Sequence, residues 1–194
     1  MVIIGAGAIG VEFAYFYNAF GTEVTLIELL PNVLPVEDTE VSKTLEKALT
    51  KQGIKILTGT RTSRVEVTEE GSAGRARGQS REMIEAEVAL IAIGVLPLLP
   101  EGKLKLALTD RGYLQTDERY QTSLKGIYAA GDIIGPPWLA HVASWEAIQA
   151  VEGMFAGIEP RKVREFPGCT YCQPQVASIG LTEKERKNPV ANFG

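Results

Sequence analysis

Cysteine is nearly absent. The 194 residues hold two, Cys169 and Cys172, too few to staple a domain of this size, so packing must hold the fold together. Histidine occurs once, at His141, which leaves neither a zinc site built on Cys169 and Cys172 nor a paired-imidazole dyad enough ligands. Charge of one sign is also missing: 20 Lys+Arg against 24 Asp+Glu give a net charge of −4 with no basic block, which excludes phosphate backbones and anionic lipid as general partners. No apolar run approaches the roughly 20 residues that span a bilayer. Met1 leads at once into a strand-like segment instead of a basic and then apolar leader, so the chain reads as soluble and cytosolic. What is present is 45% hydrophobic and 23% charged, with 20 Gly and 10 Pro, enough for the core of one large or two small domains.

Residues 1–4 form a β-branched run that stops at Gly5-Ala6-Gly7-Ala8-Ile9-Gly10. Ile9, Phe13, Tyr17 and Phe20 then recur near helical spacing, and Gly21 is placed as a helix-ending glycine. A second strand, 23–27, ends at Glu28, so the first 28 residues make a βαβ unit. Pro31 and Pro35 mark a loop, and Val41, Leu45, Ala48 and Leu49 give an amphipathic helix from Asp38 to Gly53. A third strand is expected over 54–57, a surface meander over 61–84 turning at 70–74, and a buried strand over 87–93 that stops at Gly94. Beyond a loop with Pro97 and Pro100, residues 126–130 predict a short strand running into Gly131-Asp132, and 139–155 a long, largely apolar helix. Residues 159–165 read as a charged linker and 175–179 as one more strand, and no internal repeat is visible.

The glycine motif follows a strand, opens a helix and is followed by an acid at the end of the next strand, the context in which it binds a dinucleotide. Gly5 permits the tight turn, Gly7 lets the backbone approach a pyrophosphate, and Gly10 lets helix and strand pack closely. The phosphates then meet the free N–H groups and positive end of the helix that starts near Ala8. Glu28, 18 residues after Gly10, is positioned to accept hydrogen bonds from the adenosine ribose and to repel the extra phosphate of NADP, so NAD is the expected coenzyme. A solvated charge at a strand end is the plainer alternative for Glu28. Asp132, at the end of a short apolar strand, is placed to accept hydrogen bonds from a polyol, although strand-Gly-Asp turns also occur without ligands. Cys169-Thr-Tyr-Cys172 has redox and zinc-half-site spacing, but it leads through Gln173-Pro174 into a strand instead of a helix, and both cysteines are read as structural.

Taken together, the segment from Gly5 to Glu12, Ile93-Gly94-x-x-Pro97, the run from Gly126 to Asp132 and Trp138-Leu139-Ala140-His141 resemble the pyridine nucleotide-disulfide oxidoreductases, nearest to their lipoamide-linked branch, the dihydrolipoamide dehydrogenases. The resemblance reaches to about Glu185. It implies an α/β, Rossmann-like three-layer NAD-binding domain with a parallel sheet and a small antiparallel meander over 1–120, a return segment of an FAD-binding domain over 121–158, and the start of an α+β dimerisation domain over 159–194. It further implies that Gly5, Ala6, Gly7, Ala8, Ile9, Gly10, Val11, Glu12 and Glu28 bind NAD, that Gly94 borders the nicotinamide nucleotide, that Asp132 holds the ribitol-phosphate region of FAD, and that Trp138, Leu139, Ala140 and His141 lie against the flavin. Glu12 is either the acid this family sets near the nicotinamide or a helix-face carboxylate, Trp138 a flavin neighbour or core cover, and His141 a flavin-pocket or core residue.

The implied reaction oxidises dihydrolipoamide with NAD+ through FAD, with the lipoamide on a carrier domain of a 2-oxo acid dehydrogenase or glycine cleavage complex and a homodimeric enzyme. A sibling reductase and a non-catalytic NAD-binding module are the other readings. The family's first glycine motif, its C-x4-C redox pair and its C-terminal His-Glu dyad are absent from these 194 residues, so the chain is expected to be a fragment that binds NAD(H) and turns over no lipoamide, with no catalytic or metal residue of its own. Val95-Leu96 stand where relatives commonly carry arginines, and residues 188–194 depart from the pattern.

Overall fold

Three β-branched residues, whose stiff side chains suit a pleated and fully enclosed position, form β1 (Val2–Ile4) at the centre of the sheet in this computed structural model. The structure describes residues 1–66, 75–77, 83–100, 102, 104–162 and 165–187. They divide into one unit of Met1–Gly94 with Pro167–Gly194 and another of Val95–Phe166.

In the first unit the elements are β1, α1 (Ala8–Ala19), β2 (Thr25–Ile27), α2 (Thr39–Lys51), β3 (Lys55–Leu57), β4 (Val65–Glu66), β5 (Arg75–Arg77), β6 (Met83–Ile84) and β7 (Ala89–Ile91). The main sheet is parallel throughout, in the order β3-β2-β1-β7, with Ile3 level with Leu26 on one side and Leu90 on the other. One face carries Ile3 and Leu26 into a core with Val11 and Ala14 of α1 and Leu45 and Leu49 of α2. The opposite face presents Val2, Ile4 and Ile27 to Ile84 at the end of the three-stranded antiparallel β4-β5-β6 meander. Each large aliphatic side chain removed from water here contributes about 1.5–3 kcal/mol, which is what fixes the strand register. The fold is the expected α/β arrangement of parallel sheet, helices and small antiparallel sheet. The turn expected over 70–74 and the departure expected over 188–194 lie outside the described residues.

Several expectations are corrected. Of the apolar residues at helical spacing, Ile9, Phe13 and Phe20 are exposed: α1 turns Gly10, Val11 and Ala14 inward, Tyr17 packs at the edge of that core, and the rings of Phe13, Phe16 and Phe20 lie outside against Tyr17 and one another. Val41 of α2 is likewise outside the buried face, which is Ser42, Leu45 and Leu49. The strand expected to be buried over 87–93 is a three-residue edge strand, β7, with Val88, Ile91 and Ile93 exposed, because among the described residues only β1 pairs with it. Two elements had no distinct signal: β8 (Gly168–Thr170), which pairs antiparallel with β9 (Val176–Ser178), and the short α4 (Glu183–Lys187).

The second unit is built on turns and one long helix, α3 (Ala140–Phe155). The strand expected over 126–130 is reduced to a single antiparallel bridge between Gln121 and Tyr128 before a 3-10 turn, Gly131–Ile134. Tyr120 is fully buried with a positive φ of 63°. The charged stretch after Ile158 is not a free linker: Arg161 N–H donates to Gln149 Oε1 at 2.8 Å, Lys162 pairs with Glu118 at 3.5 Å, and Glu159 pairs with Arg119. Among the described residues no helix is long and apolar enough to cross a membrane.

Candidate functional site

The parallel strands β1 and β7 and the strand end of β2 deliver their C-terminal ends to one edge of the sheet, and the glycine-rich loop occupies that edge. Gly5 turns the chain with φ +101°, a conformation that L side chains rarely adopt, and a Cβ there would lie 2.3 Å from the carbonyl oxygen of Ala92. A Cβ at Gly10 would lie 1.9 Å from the carbonyl oxygen of Gly5. At Gly7 the same atom would meet nothing within 4 Å, so that position opens outward. Two glycines are thus demanded by the protein's own backbone and the third leaves room above the loop.

Gly7 is the residue that precedes α1, and having no side chain it leaves the helix without a side-chain cap; no acid lies in the first turn either. The first N–H groups of α1, beginning with Ala8 and Ile9, therefore point from the positive end of the helix without a partner inside it, a geometry suited to an anion. Val11 is buried against the sheet.

Glu28 is 8% exposed, and both carboxylate oxygens are engaged. Oε2 accepts from the Ala6 N–H at 2.7 Å and Oε1 from the Leu30 N–H at 2.8 Å. Its own backbone is tied in by Glu28 N–H to Leu57 O at 2.9 Å and Thr60 N–H to Glu28 O at 2.8 Å. The acid at the end of β2 is therefore not a solvated charge: it ties the glycine loop to the loop after β2. Each oxygen keeps a lone pair for a sugar hydroxyl. The loop is further held by Gly5 N–H to Ile27 O at 2.8 Å and Leu34 N–H to Ala6 O at 2.7 Å. Leu34 and Ala92 were not singled out from sequence. A small residue two places before Gly94 is the only signal that pointed to Ala92, whereas Leu34, buried at φ 44°, left none.

Gly94 has φ +129° and open space around its Cα, three residues past the end of β7 and so at the same sheet edge as Gly5. Glu12 lies further along α1, where its Oε1 accepts the Tyr171 N–H at 2.8 Å, joining the helix to the β8–β9 hairpin. Cys169 is on β8 and half-buried, and Cys172 is buried in the turn that follows, with Sγ 3.2 Å from the Pro174 oxygen. Burial first, and then the charge of Glu12, pushes the Cys172 thiol above its ordinary pKa, the opposite of an activated thiolate. Among the described residues no group of three or more His, Cys, Asp or Glu is placed to hold a metal ion.

In the second unit Asp132 stands exposed on the 3-10 turn, just after Gly131. Trp138 is 43% exposed with its ring 6.4 Å from that of Tyr113, so it is not core cover. Leu139 precedes α3, and Ala140 and His141 open it. His141 is exposed, which removes the core alternative for that residue: in the first turn of α3 it is Val142 that faces inward.

Residues 1–147 match the family described as Pyridine nucleotide-disulphide oxidoreductase. A dihydrolipoyl dehydrogenase of Chlorobaculum parvum is 43% identical over 190 residues, covering 95% of this chain and 40% of that protein. One of Rhizobium etli is 39% identical over 198 residues, covering 96% and 40%. Among solved structures, the copper(II) complex of the HOCl-induced flavoprotein disulfide reductase RclA from Escherichia coli superposes with a TM-score of 0.84 at 25% identity, covering 98% of this chain and 44% of that one. The chain spans about two fifths of the length of the curated relatives it matches.

Proposed function

Because the chain belongs to the pyridine nucleotide-disulphide oxidoreductase family, we propose that its glycine-rich loop binds NAD(H) and that it acts within an FAD-dependent dihydrolipoyl dehydrogenase, which converts dihydrolipoamide and NAD+ to lipoamide, NADH and a proton. The single observation that carries the coenzyme assignment is the engagement of Glu28 with the loop: a carboxylate fixed beside an anion-binding helix start accepts ribose hydroxyls and repels a 2′-phosphate.

Residues Gly5 to Glu12 line the pyrophosphate and nicotinamide side, Glu28 the adenosine ribose, and Gly94 the nicotinamide nucleotide. Asp132 on its exposed turn fits an acceptor for the ribitol-phosphate part of FAD, and Trp138, Leu139, Ala140 and His141 supply a surface for the flavin. FAD, when bound, supplies the two-electron relay between a dithiol and the nicotinamide. The share of these 194 residues is to bind and orient. Cys169 and Cys172 are not its redox pair, since Cys172 is buried with a raised pKa.

The functional division we assign is 1–120 for NAD, 121–158 for the FAD return segment and 159–194 for the start of the dimer interface. The working enzyme is a homodimer in the cytosol, where the free thiols stay reduced, and its partner is a lipoamide-bearing carrier domain of a 2-oxo acid dehydrogenase or glycine cleavage complex. A sibling flavoprotein disulfide reductase is the second reading, supported by the fold shared with the Escherichia coli RclA structure. The test is to incubate the chain with dihydrolipoamide and NAD+ and to read the coding DNA on both sides of it. NADH binding without turnover, with a second glycine motif and C-x4-C pair upstream and a His-Glu pair downstream, is the expected result. Start and stop signals at both ends would instead make it a non-catalytic NAD-binding module.

A further inference from the structure

We propose that Glu146 is a positioning residue, holding the Gly131 N–H so that the turn carrying Asp132 keeps one shape, and thereby setting where the Asp132 carboxylate meets a flavin nucleotide; this rests on the reading of Asp132 given above. The Glu146 side chain extends from the second turn of α3, and its Oε2 accepts the Gly131 N–H at 2.7 Å, a short charge-assisted bond in a partly buried place. Gly131 is held from a second side by the same helix. Its φ is +79°, and a Cβ there would lie 2.9 Å from the Ala143 Cβ, three residues before Glu146 on the same face of α3. One helix face therefore both bars a side chain at residue 131 and fixes its amide, one residue away from the exposed acid.

Among the described residues the carboxylate has no other task that the structure shows. Behind it lies Tyr120, fully buried, whose hydroxyl is pushed above its ordinary pKa by burial first and then by Glu146 and Glu118. The Tyr120 carbonyl takes the Ala129 N–H at 3.0 Å, so the segment leading into the turn is anchored at the same point. Without the Glu146 acceptor, the Gly131 end of the turn loses its side-chain tether while the Leu114 N–H still holds Ile133 O at 2.9 Å at the other end, and the Asp132 carboxylate between them samples a wider arc. A ligand that needs one placement of that acid then meets an added ordering cost on binding.

The test compares the wild-type chain with Glu146→Ala, Glu146→Gln and Glu146→Asp by amide hydrogen exchange at Gly131 and Asp132 and by titration with FAD, followed by flavin fluorescence. Glu146→Ala is expected to speed exchange at Gly131 about tenfold and weaken FAD binding about tenfold. Glu146→Gln keeps an acceptor oxygen and restores both to within about threefold. Glu146→Asp keeps the charge and the helix but is one methylene too short, and it must behave like alanine; it serves if the alanine variant does not fold. Faster exchange at Gly131 with unchanged FAD affinity overturns the positioning role alone. Equal loss in the Gln and Ala variants overturns it as well, and unchanged exchange at Gly131 in Glu146→Ala overturns the tether from which the role is argued.

Discussion

Replacing Glu28 by alanine removes the acceptor of two backbone N–H groups at once, Ala6 at 2.7 Å and Leu30 at 2.8 Å, at a site 8% exposed to water. Hydrogen bonds to a charged acceptor contribute about 1.5–3 kcal/mol each, and partial rehydration of the vacated loop recovers some of that, so the loss in unfolding free energy is about 2–4 kcal/mol. For a domain whose total stability is about 5–15 kcal/mol this is a large fraction. Urea unfolding followed by circular dichroism reads it as a fall in midpoint at unchanged slope. Glu28→Gln supplies one acceptor oxygen and turns an NH2 toward the other N–H, so it falls between wild type and alanine. The same variants, titrated with NADH and NADPH, lose affinity for NADH and show a narrowed preference, because the repulsion of the 2′-phosphate goes with the charge. An alanine variant within about 0.5 kcal/mol of wild type, with its coenzyme preference intact, would refute both halves of the reasoning.

The remaining predictions concern the loop, the thiols and the last helix. Gly10→Ala forces a methyl to 1.9 Å from a backbone oxygen and destabilises by about 3 kcal/mol or more in thermal or urea unfolding. Gly7→Ala meets nothing within 4 Å, so stability stays within about 0.5 kcal/mol while NADH binding weakens about tenfold, which a fluorescence titration separates. Under native conditions a thiol reagent modifies half-buried Cys169 before Cys172, whose pKa is raised by burial and by Glu12; rapid labelling of Cys172 in a Cys169→Ser variant would contradict this. At the start of α4, hydrogen bonds from the Thr182 N–H and hydroxyl hold the Glu185 carboxyl below its ordinary pKa. The capping contribution is then present above the unfolded-state pKa and lost as pH falls through the lower folded value, and Thr182→Ala, which removes the hydroxyl donor but keeps the backbone N–H, moves the Glu185 titration, read by NMR, only part of the way back toward the usual carboxylate range.

The βαβ start was legible because each element carried its own local cue: β-branched residues for β1, glycines placed by backbone need, and an acid ending β2. The face of α1 was not, since spacing marks a stripe but not which stripe is buried, and the decisive quantity, the approach of Gly10 to the Gly5 carbonyl, is a tertiary distance. The exposure of β7 and the reduction of 126–130 to one bridge have the same origin: a strand's burial and ladder belong to its neighbours, not to its own residues. Glu28 was found by offset alone, but its grip on Ala6 and Leu30 depends on where the glycine loop meets the loop after β2. Glu146 gave no signal, because a helix-face carboxylate looks the same whether or not a backbone amide waits opposite it.

The central claim is that the loop from Gly5 to Gly10, with Glu28 beside it, is an NAD(H) site, and titrating the chain with NADH and NADPH side by side tests it most directly. Saturable binding of one NADH per chain, with NADPH weaker by about tenfold or more, is the result the geometry predicts. Equal affinity for the two coenzymes, or no binding of either by a folded chain, would contradict it.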